Sequence, residues 1–69
     1  MKLYQIPNGS KLRVTINDEK APRSAIFHHI DGMYSLCTID DLPEGENSFH
    51  LSAMEEMKLV DGHYEIDSK

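Results

Sequence analysis

AIFHHIDGMYSLCTI, residues 25–39, is the strongest structural signal in this 69-residue chain, because it places an Asp-Gly pair between two apolar runs. A second pair, Asp61-Gly62, lies between MKLV at 57–60 and HYEI at 63–66. Asp-Gly favours a two-residue type I′ hairpin turn, since both central positions of that turn need a positive φ. The sequence therefore predicts two β-hairpins, with turns at Asp31-Gly32 and Asp61-Gly62.

The segments around these hairpins also favour strands. Residues 3–6 form a short extended run, and residues 11–16 and 48–53 alternate between apolar and polar side chains, which is typical of half-buried strands. Residues 17–23 predict a polar loop, and residues 40–47 an acidic turn. Ser52 begins one predicted helical turn as its N-cap, with Glu55 at the capping-box position.

This order predicts an all-β, mainly antiparallel fold formed by residues 1–69 as one domain. We expect a small five- to six-stranded SH3-like barrel with one short 3-10 or helical turn near residues 52–56. An OB-type barrel or a simple antiparallel sheet is the alternative.

Length, charge and cysteine content limit the class of protein. A chain of 69 residues can bury only a thin core, and oligomerisation is a common remedy at this size. The net charge is −5, which argues against non-specific binding to nucleic acid. The single cysteine, Cys37, rules out an internal disulfide and fits a reducing compartment, and no signal-peptide or membrane-spanning run is present. We expect a cytoplasmic protein without a membrane partner.

The hairpin turns predict which side chains share a face. For the second hairpin, a turn at Asp61-Gly62 gives an apolar face and an opposite-charge pair, Lys58 and Glu65, on the other side. For the first hairpin, a turn at Asp31-Gly32 separates two faces that are both rich in apolar residues. We assign the more aliphatic face to the core: Ile26, His28, Ile30, Met33, Ser35 and Cys37. The other face is then the outer one: Phe27, His29, Tyr34 and Leu36.

An exposed aromatic face of this kind predicts a partner-binding surface, since Tyr and Phe are favoured at protein interfaces. We expect Phe27, His29, Tyr34 and Leu36 to contact a partner protein or a second copy of the chain. In the alternative, the 17–23 loop or the N-terminal segment covers this face.

Metal and catalytic sites are not indicated. The four histidines and Cys37 lack metal-ligand spacing, and the adjacent His28 and His29 should point to opposite faces of a strand. Cys37 with His28 or His50 would be a nucleophile–base pair, but we interpret the thiol as a small buried packing group. The sequence predicts no metal, no cofactor and no enzyme.

Two other binding functions remain as alternatives. Lys11, Arg13 and Arg23 could form a basic edge that binds nucleic acid, with Tyr34 or Phe27 as stacking platforms. Nine acidic residues could instead mimic nucleic acid and inhibit a host DNA-binding protein: Asp40, Asp41, Glu44, Glu46, Glu55, Glu56, Asp61, Glu65 and Asp67.

The segments 27–37, FHHIDGMYSLC, and 50–56, HLSAMEE, resemble short uncharacterised proteins encoded by bacteriophages. Those proteins carry a D-G-M-Y-S-x-C pattern followed by H-L-S-A, and the resemblance covers residues 25–60. Met57 departs from the β-branched residue that the pattern prefers. The resemblance implies a phage origin, a small barrel and a bacterial host cytoplasm. With the exposed face, it favours a non-enzymatic interaction module that binds a host or phage protein.

Overall fold

The computed structural model describes residues 1–15 and 21–67, and these residues form one six-stranded sheet. A 3-10 turn, Leu3–Gln5, precedes the first strand. The strands are β1 (Lys11–Val14), β2 (Arg23–Asp31), β3 (Tyr34–Ile39), β4 (Ser48–Phe49), β5 (Met57–Val60) and β6 (His63–Ile66). The predicted all-β class is confirmed.

The strands pair in the order β4-β3-β2-β1-β6-β5, and every pairing is antiparallel except that of β1 with β6. Within the described residues, the end strands β4 and β5 are not paired with each other. The N-terminal arm and the segment before β5 connect these two ends. Met57 N–H donates to the Met1 carbonyl at 2.6 Å, and Ala53 N–H donates to the Met33 carbonyl at 2.9 Å. The resulting arrangement is barrel-like.

The N-terminal run differs from its predicted extended form. Leu3 to Gln5 make a 3-10 turn, in which side chains three positions apart lie on the same side. Leu3 and Ile6 are three apart, and both are buried in the core. The turn therefore buries two aliphatic groups that a straight strand would place on opposite faces.

The short helical turn predicted near residues 52–56 is a single hydrogen-bonded turn. Glu55 N–H donates to the Ser52 carbonyl at 3.0 Å, and the Ser52 hydroxyl accepts from Met54 N–H at 3.2 Å. Ser52 thus caps the turn as predicted. The end of this turn is hydrogen-bonded to the N-terminal arm, since Leu3 N–H donates to the Glu55 carbonyl at 2.9 Å.

The second hairpin has the predicted register. Lys58 pairs with Glu65, Leu59 with Tyr64, and Val60 with His63. Asp61 and Gly62 both have positive φ, 49° and 87°, as a type I′ turn requires.

The first hairpin does not have the predicted register. Asp31 pairs with Tyr34, so the two loop residues are Gly32 and Met33, one position later than expected. Only Gly32 has a positive φ, 66°, which matches a type II′ turn with glycine at the first loop position. A β-bulge at His28 then shifts the register again, and Phe27 pairs with Cys37.

This pairing overturns the predicted core of the first hairpin. Phe27, assigned to the outer face, is fully buried, whereas Met33, assigned to the core, is 77% exposed. His28, also assigned to the core, is exposed, and Ile26, assigned to it as well, is half-buried and lies outside the core cluster. Ser35 and Cys37 are buried as predicted, and Ile30 packs against the core. The core consists of Leu3, Ile6, Leu12, Val14, Ala25, Phe27, Cys37, Ile39 and Met57.

Ser35 is the buried polar residue of this core, and its hydroxyl is fully used. It donates to the Leu51 carbonyl at 3.0 Å and accepts from Leu51 N–H at 3.2 Å. Strand β4 ends at Phe49, and beyond it the Ser35 side chain, rather than the β3 backbone, hydrogen-bonds to the backbone of Leu51.

Candidate binding surface

The face of β2 and β3 that points away from the core carries three of the four residues predicted to bind a partner. Tyr34 is 59% exposed, His29 is exposed, and Leu36, which pairs with His29, is half-buried. Phe27 lies on the opposite face, in the core. Three of the four residues therefore share the outer face, and the assignment of Phe27 to that face was wrong because the register is shifted. Residues 17–20 of the 17–23 loop expected as a cover, and Ile16 of the strand predicted at 11–16, lie outside the described residues.

The bulge brings two histidines to this outer face. His28 is the unpaired residue of the bulge, and its Nε2 lies 2.7 Å from the hydroxyl of Thr38, a β3 residue on the outer side. His29 is exposed beside it. The prediction that these neighbours point to opposite faces was wrong, because a bulge interrupts the strict alternation of a strand.

The turn at 52–55 is hydrogen-bonded to two other segments, the N-terminal arm and the turn between β2 and β3. All three segments carry exposed apolar side chains. Ala53 N–H donates to the Met33 carbonyl, and Tyr4 N–H donates to the Ala53 carbonyl at 3.1 Å. Ser52 also forms an isolated bridge with Tyr34. Of the six large hydrophobic side chains that are exposed in the described residues, four belong here. We call them the methionine–tyrosine patch: Tyr4, Met33, Tyr34 and Met54.

The sequence did not indicate Tyr4, Met33 or Met54 as surface-forming residues. Tyr4 and Met54 meet only through hydrogen bonds between segments about fifty residues apart in the chain. Met33 had a sequence signal, the Asp-Gly pair, but the one-residue shift of the turn changed its side. No local pattern marks a patch assembled in this way.

A shallow depression beside Tyr34 is lined by Asp31 and His50. The Nδ1 of His50 lies 2.7 Å from the carbonyl oxygen of Ser35. Because a carbonyl only accepts, Nδ1 carries the proton and donates. A neutral His50 therefore keeps its Nε2 lone pair, and the depression offers an imidazole, a phenol and a carboxylate as polar groups around the patch.

The three cations of the predicted basic edge do not share a face. Lys11 and Arg13 alternate with buried Leu12 and Val14, so both lie on the outer side of β1. Arg23 pairs with Val14 and binds the Asp41 carboxylate at 3.0 Å. The structure therefore separates Arg23 from the other two.

The arrangement of Cys37 argues against a nucleophile–base pair with His28. Burial raises the pKa of the Cys37 thiol, and the hydrogen bond between Cys37 and Ser35 offsets this only in part. His28 lies on the outer face and Cys37 in the core, so they cannot act together. Across the described residues, no group of three or more His, Cys, Asp or Glu side chains could hold a metal ion.

The acidic residues of the mimic hypothesis are dispersed, and several are paired. Asp41 binds Arg23, Glu65 binds His63 at 2.7 Å, and Glu56 binds Lys2 at 3.0 Å. The hydrogen bond from the N-terminal ammonium, and then that from Lys2, lower the pKa of Glu56 to about 2. Besides Asp41, the acids at 40–46 are exposed and close in sequence: Asp40, Glu44 and Glu46.

Comparisons with protein-family models, with curated proteins and with solved structures each return no match. No helix in the described part of the chain is long and apolar enough to cross a membrane.

Proposed function

We propose that this protein is a non-enzymatic protein–protein interaction module, and that its contact surface is the methionine–tyrosine patch with the adjoining His29 and Leu36. The observation that supports the proposal is that backbone hydrogen bonds at one turn bring together the segments that carry four large exposed apolar side chains. Tyr and Met are enriched in the buried centres of protein interfaces, and Tyr is common among the residues that carry binding energy.

The chemistry of the patch suits a contact that adapts to its partner. Met33 and Met54 are unbranched and flexible, so they can fill irregular gaps in an opposing surface. Tyr34 adds a rigid ring with a polar end, and Asp31 and His50 beside it supply a polar rim. This combination of apolar centre and polar rim is typical of transient interfaces.

The partner we propose is a protein of a bacterial host or of a bacteriophage, met in the host cytoplasm, or a second copy of this chain. The residues that resemble phage-encoded proteins, 27–37, include Met33 and Tyr34 of the patch. The proposed contact surface and the resemblance thus rest on the same segment.

Tyr34→Ser and Met33→Ser test the proposal, with Leu59→Ser as the matched control. Leu59 is 63% exposed, but it lies on β5 and has no hydrogen bond to the 52–55 turn. We expect the two patch variants to lose partner capture from host lysate, or self-association measured by light scattering, while Leu59→Ser retains it. Equal behaviour of all three folded variants and the wild type would show that the patch is not the contact surface.

A further inference from the structure

The shallow depression beside Tyr34 is lined by a phenol, a carboxylate and an imidazole, and its volume is about 400 Å³. Asp31 pairs with Tyr34 at the end of the β2–β3 hairpin, so their side chains are direct neighbours on the outer face. Tyr34 in turn bridges to Ser52, and His50, two residues before Ser52, is its diagonal neighbour on that face. The backbone thus places the Asp31 carboxylate and the His50 imidazole on either side of the Tyr34 ring.

The polar side chains of this depression can all accept hydrogen bonds. The ionised Asp31 carboxylate has only acceptor oxygens, and within the described residues it has no hydrogen bond or ion pair. His50 is exposed, and its Nδ1–H donates to the Ser35 carbonyl at 2.7 Å, so the neutral ring keeps Nε2 as an acceptor. The Tyr34 hydroxyl can donate or accept. A ligand that satisfies these groups is therefore rich in hydrogen-bond donors.

The charge of the depression favours a cation. Its lining contains one carboxylate and, among the described residues, no lysine or arginine. The chain as a whole carries a net charge of −5, which attracts cations from a distance. The Tyr34 ring, 59% exposed, adds a second attraction, because the face of an aromatic ring carries partial negative charge. A cation that donates hydrogen bonds therefore matches the depression in both charge and polarity.

We propose that this depression binds an arginine side chain of the partner protein. The inference rests on the proposed function, since Tyr34 also belongs to the methionine–tyrosine patch. A guanidinium is planar and has five N–H donors, so it can stack on the Tyr34 ring and bind the Asp31 carboxylate through two parallel hydrogen bonds. A further N–H remains for Nε2 of His50. The ammonium of lysine is a compact, strongly hydrated charge that does not stack in this way.

Other occupants fit this depression less well. The Asp31 carboxylate repels the phosphates of a nucleic acid. A metal ion would find one carboxylate and one imidazole, and the described residues contain no group of three or more His, Cys, Asp or Glu side chains that could hold one. A free small molecule would leave much of its surface in water in so shallow a site. An arginine on a partner that also contacts Met33 and Tyr34 is brought to the depression by those contacts.

The test titrates N-acetyl-arginine methylamide into isotope-labelled protein and follows the backbone amide signals by NMR. The citrulline and lysine counterparts are the comparison ligands, because citrulline keeps the shape of the arginine side chain without its charge. We expect the arginine compound to shift the signals of Asp31, Tyr34 and His50. Asp31→Asn should weaken binding about two- to fivefold, since exposed ion pairs contribute modestly. Asn is also favoured in turns, so this variant should fold.

Two further substitutions separate charge from ring stacking. Asp40→Asn makes the same charge change just beyond the other end of β3 and should have a smaller effect than Asp31→Asn. Tyr34→Leu should weaken binding of the arginine compound, whereas Tyr34→Phe, which keeps the ring, should retain it.

Three results would overturn the proposal. These are an absence of shifts at the depression, equal binding of the citrulline or lysine compound, and equal effects of Asp31→Asn and Asp40→Asn. Met33→Ser should leave binding of the arginine compound unchanged, because Met33 does not line the depression. The same variant should lose partner capture if the methionine–tyrosine patch is the contact surface. Failure of the arginine site and failure of the patch are therefore measured separately.

Discussion

Phe27 and Tyr34 provide the sharpest test of the first hairpin, because the two possible registers give opposite expectations for them. With a turn at Asp31-Gly32, both rings lie on the outer face. In the structure, Phe27 is fully buried and Tyr34 is 59% exposed. Truncating the two rings should therefore have unequal effects on the free energy of unfolding.

The expected sizes follow from burial. Replacing a buried Phe by Ala typically costs about 3–5 kcal/mol, since it removes apolar contacts and leaves a cavity. A 69-residue domain has a total stability of roughly 3–10 kcal/mol at about 0.05–0.15 kcal/mol per residue. Phe27→Ala should therefore remove between about a third and all of this stability, whereas Phe27→Leu should cost about 1 kcal/mol and stay folded. Tyr34→Leu, at an exposed site, should change stability by less than about 0.5 kcal/mol.

Urea denaturation followed by far-ultraviolet circular dichroism measures all three variants. The buried position of Phe27 predicts a midpoint order in which Phe27→Ala is lowest, Phe27→Leu is intermediate and Tyr34→Leu matches the wild type. Small and equal shifts for the Phe27 and Tyr34 variants would refute the bulged register and restore the outer position of Phe27.

Three further predictions concern the turn, the core and the N-terminal arm. Gly32→Val should lower the free energy of unfolding by about 1–2 kcal/mol in urea denaturation, because a φ of 66° strains an L residue. No atom lies within 4 Å of an added Cβ, so this backbone strain is the expected cause of the loss. Gly32→Asn should lose less stability, and equal losses for the two variants would contradict this. Ser35→Ala should cost about 1–3 kcal/mol, because Leu51 loses both its partners, whereas the exposed Ser48→Ala should be near neutral. The pKa of Glu56, lowered to about 2, predicts that the stabilising contribution of its carboxylate is complete above about pH 4.5 and is lost as the pH falls toward 2. Glu56→Gln should therefore make the free energy of unfolding less dependent on pH between about 4.5 and 2. If the variant lost stability over this range just as the wild type does, the ion pairs of Glu56 would not stabilise the fold.

The second hairpin was predictable because every local preference agreed. Asp61-Gly62 supplies the two positive φ angles, and the register that it fixes also pairs Lys58 with Glu65. A shift of one residue would break that pair and turn the apolar face outward. The all-β class followed from the same kind of alternation, repeated along the chain.

The composition of the candidate binding surface was predictable only in part. Tyr34, His29 and Leu36 were expected on the outer face, and the structure places them there. Tyr4 and Met54 join Tyr34 through the 52–55 turn and the N-terminal arm, and such long-range hydrogen bonds leave no periodic pattern in the sequence.

The bulge at His28 follows from the spacing of side chains in β2. Ala25 and Phe27 point to the core, and strict alternation from them would also bury His29 and Asp31. Burying an ionisable group without a partner costs several kcal/mol, whereas one bulge costs only local pairing. The extra residue moves His29 and Asp31 outward and turns Ile30 toward the core. Phe27 and Ile30 are three residues apart in the sequence. In a strand, two apolar residues at that spacing point to opposite faces unless a bulge lies between them. The bulge that completes the core therefore also places His29 on the same outer face as Tyr34, within the surface proposed for binding.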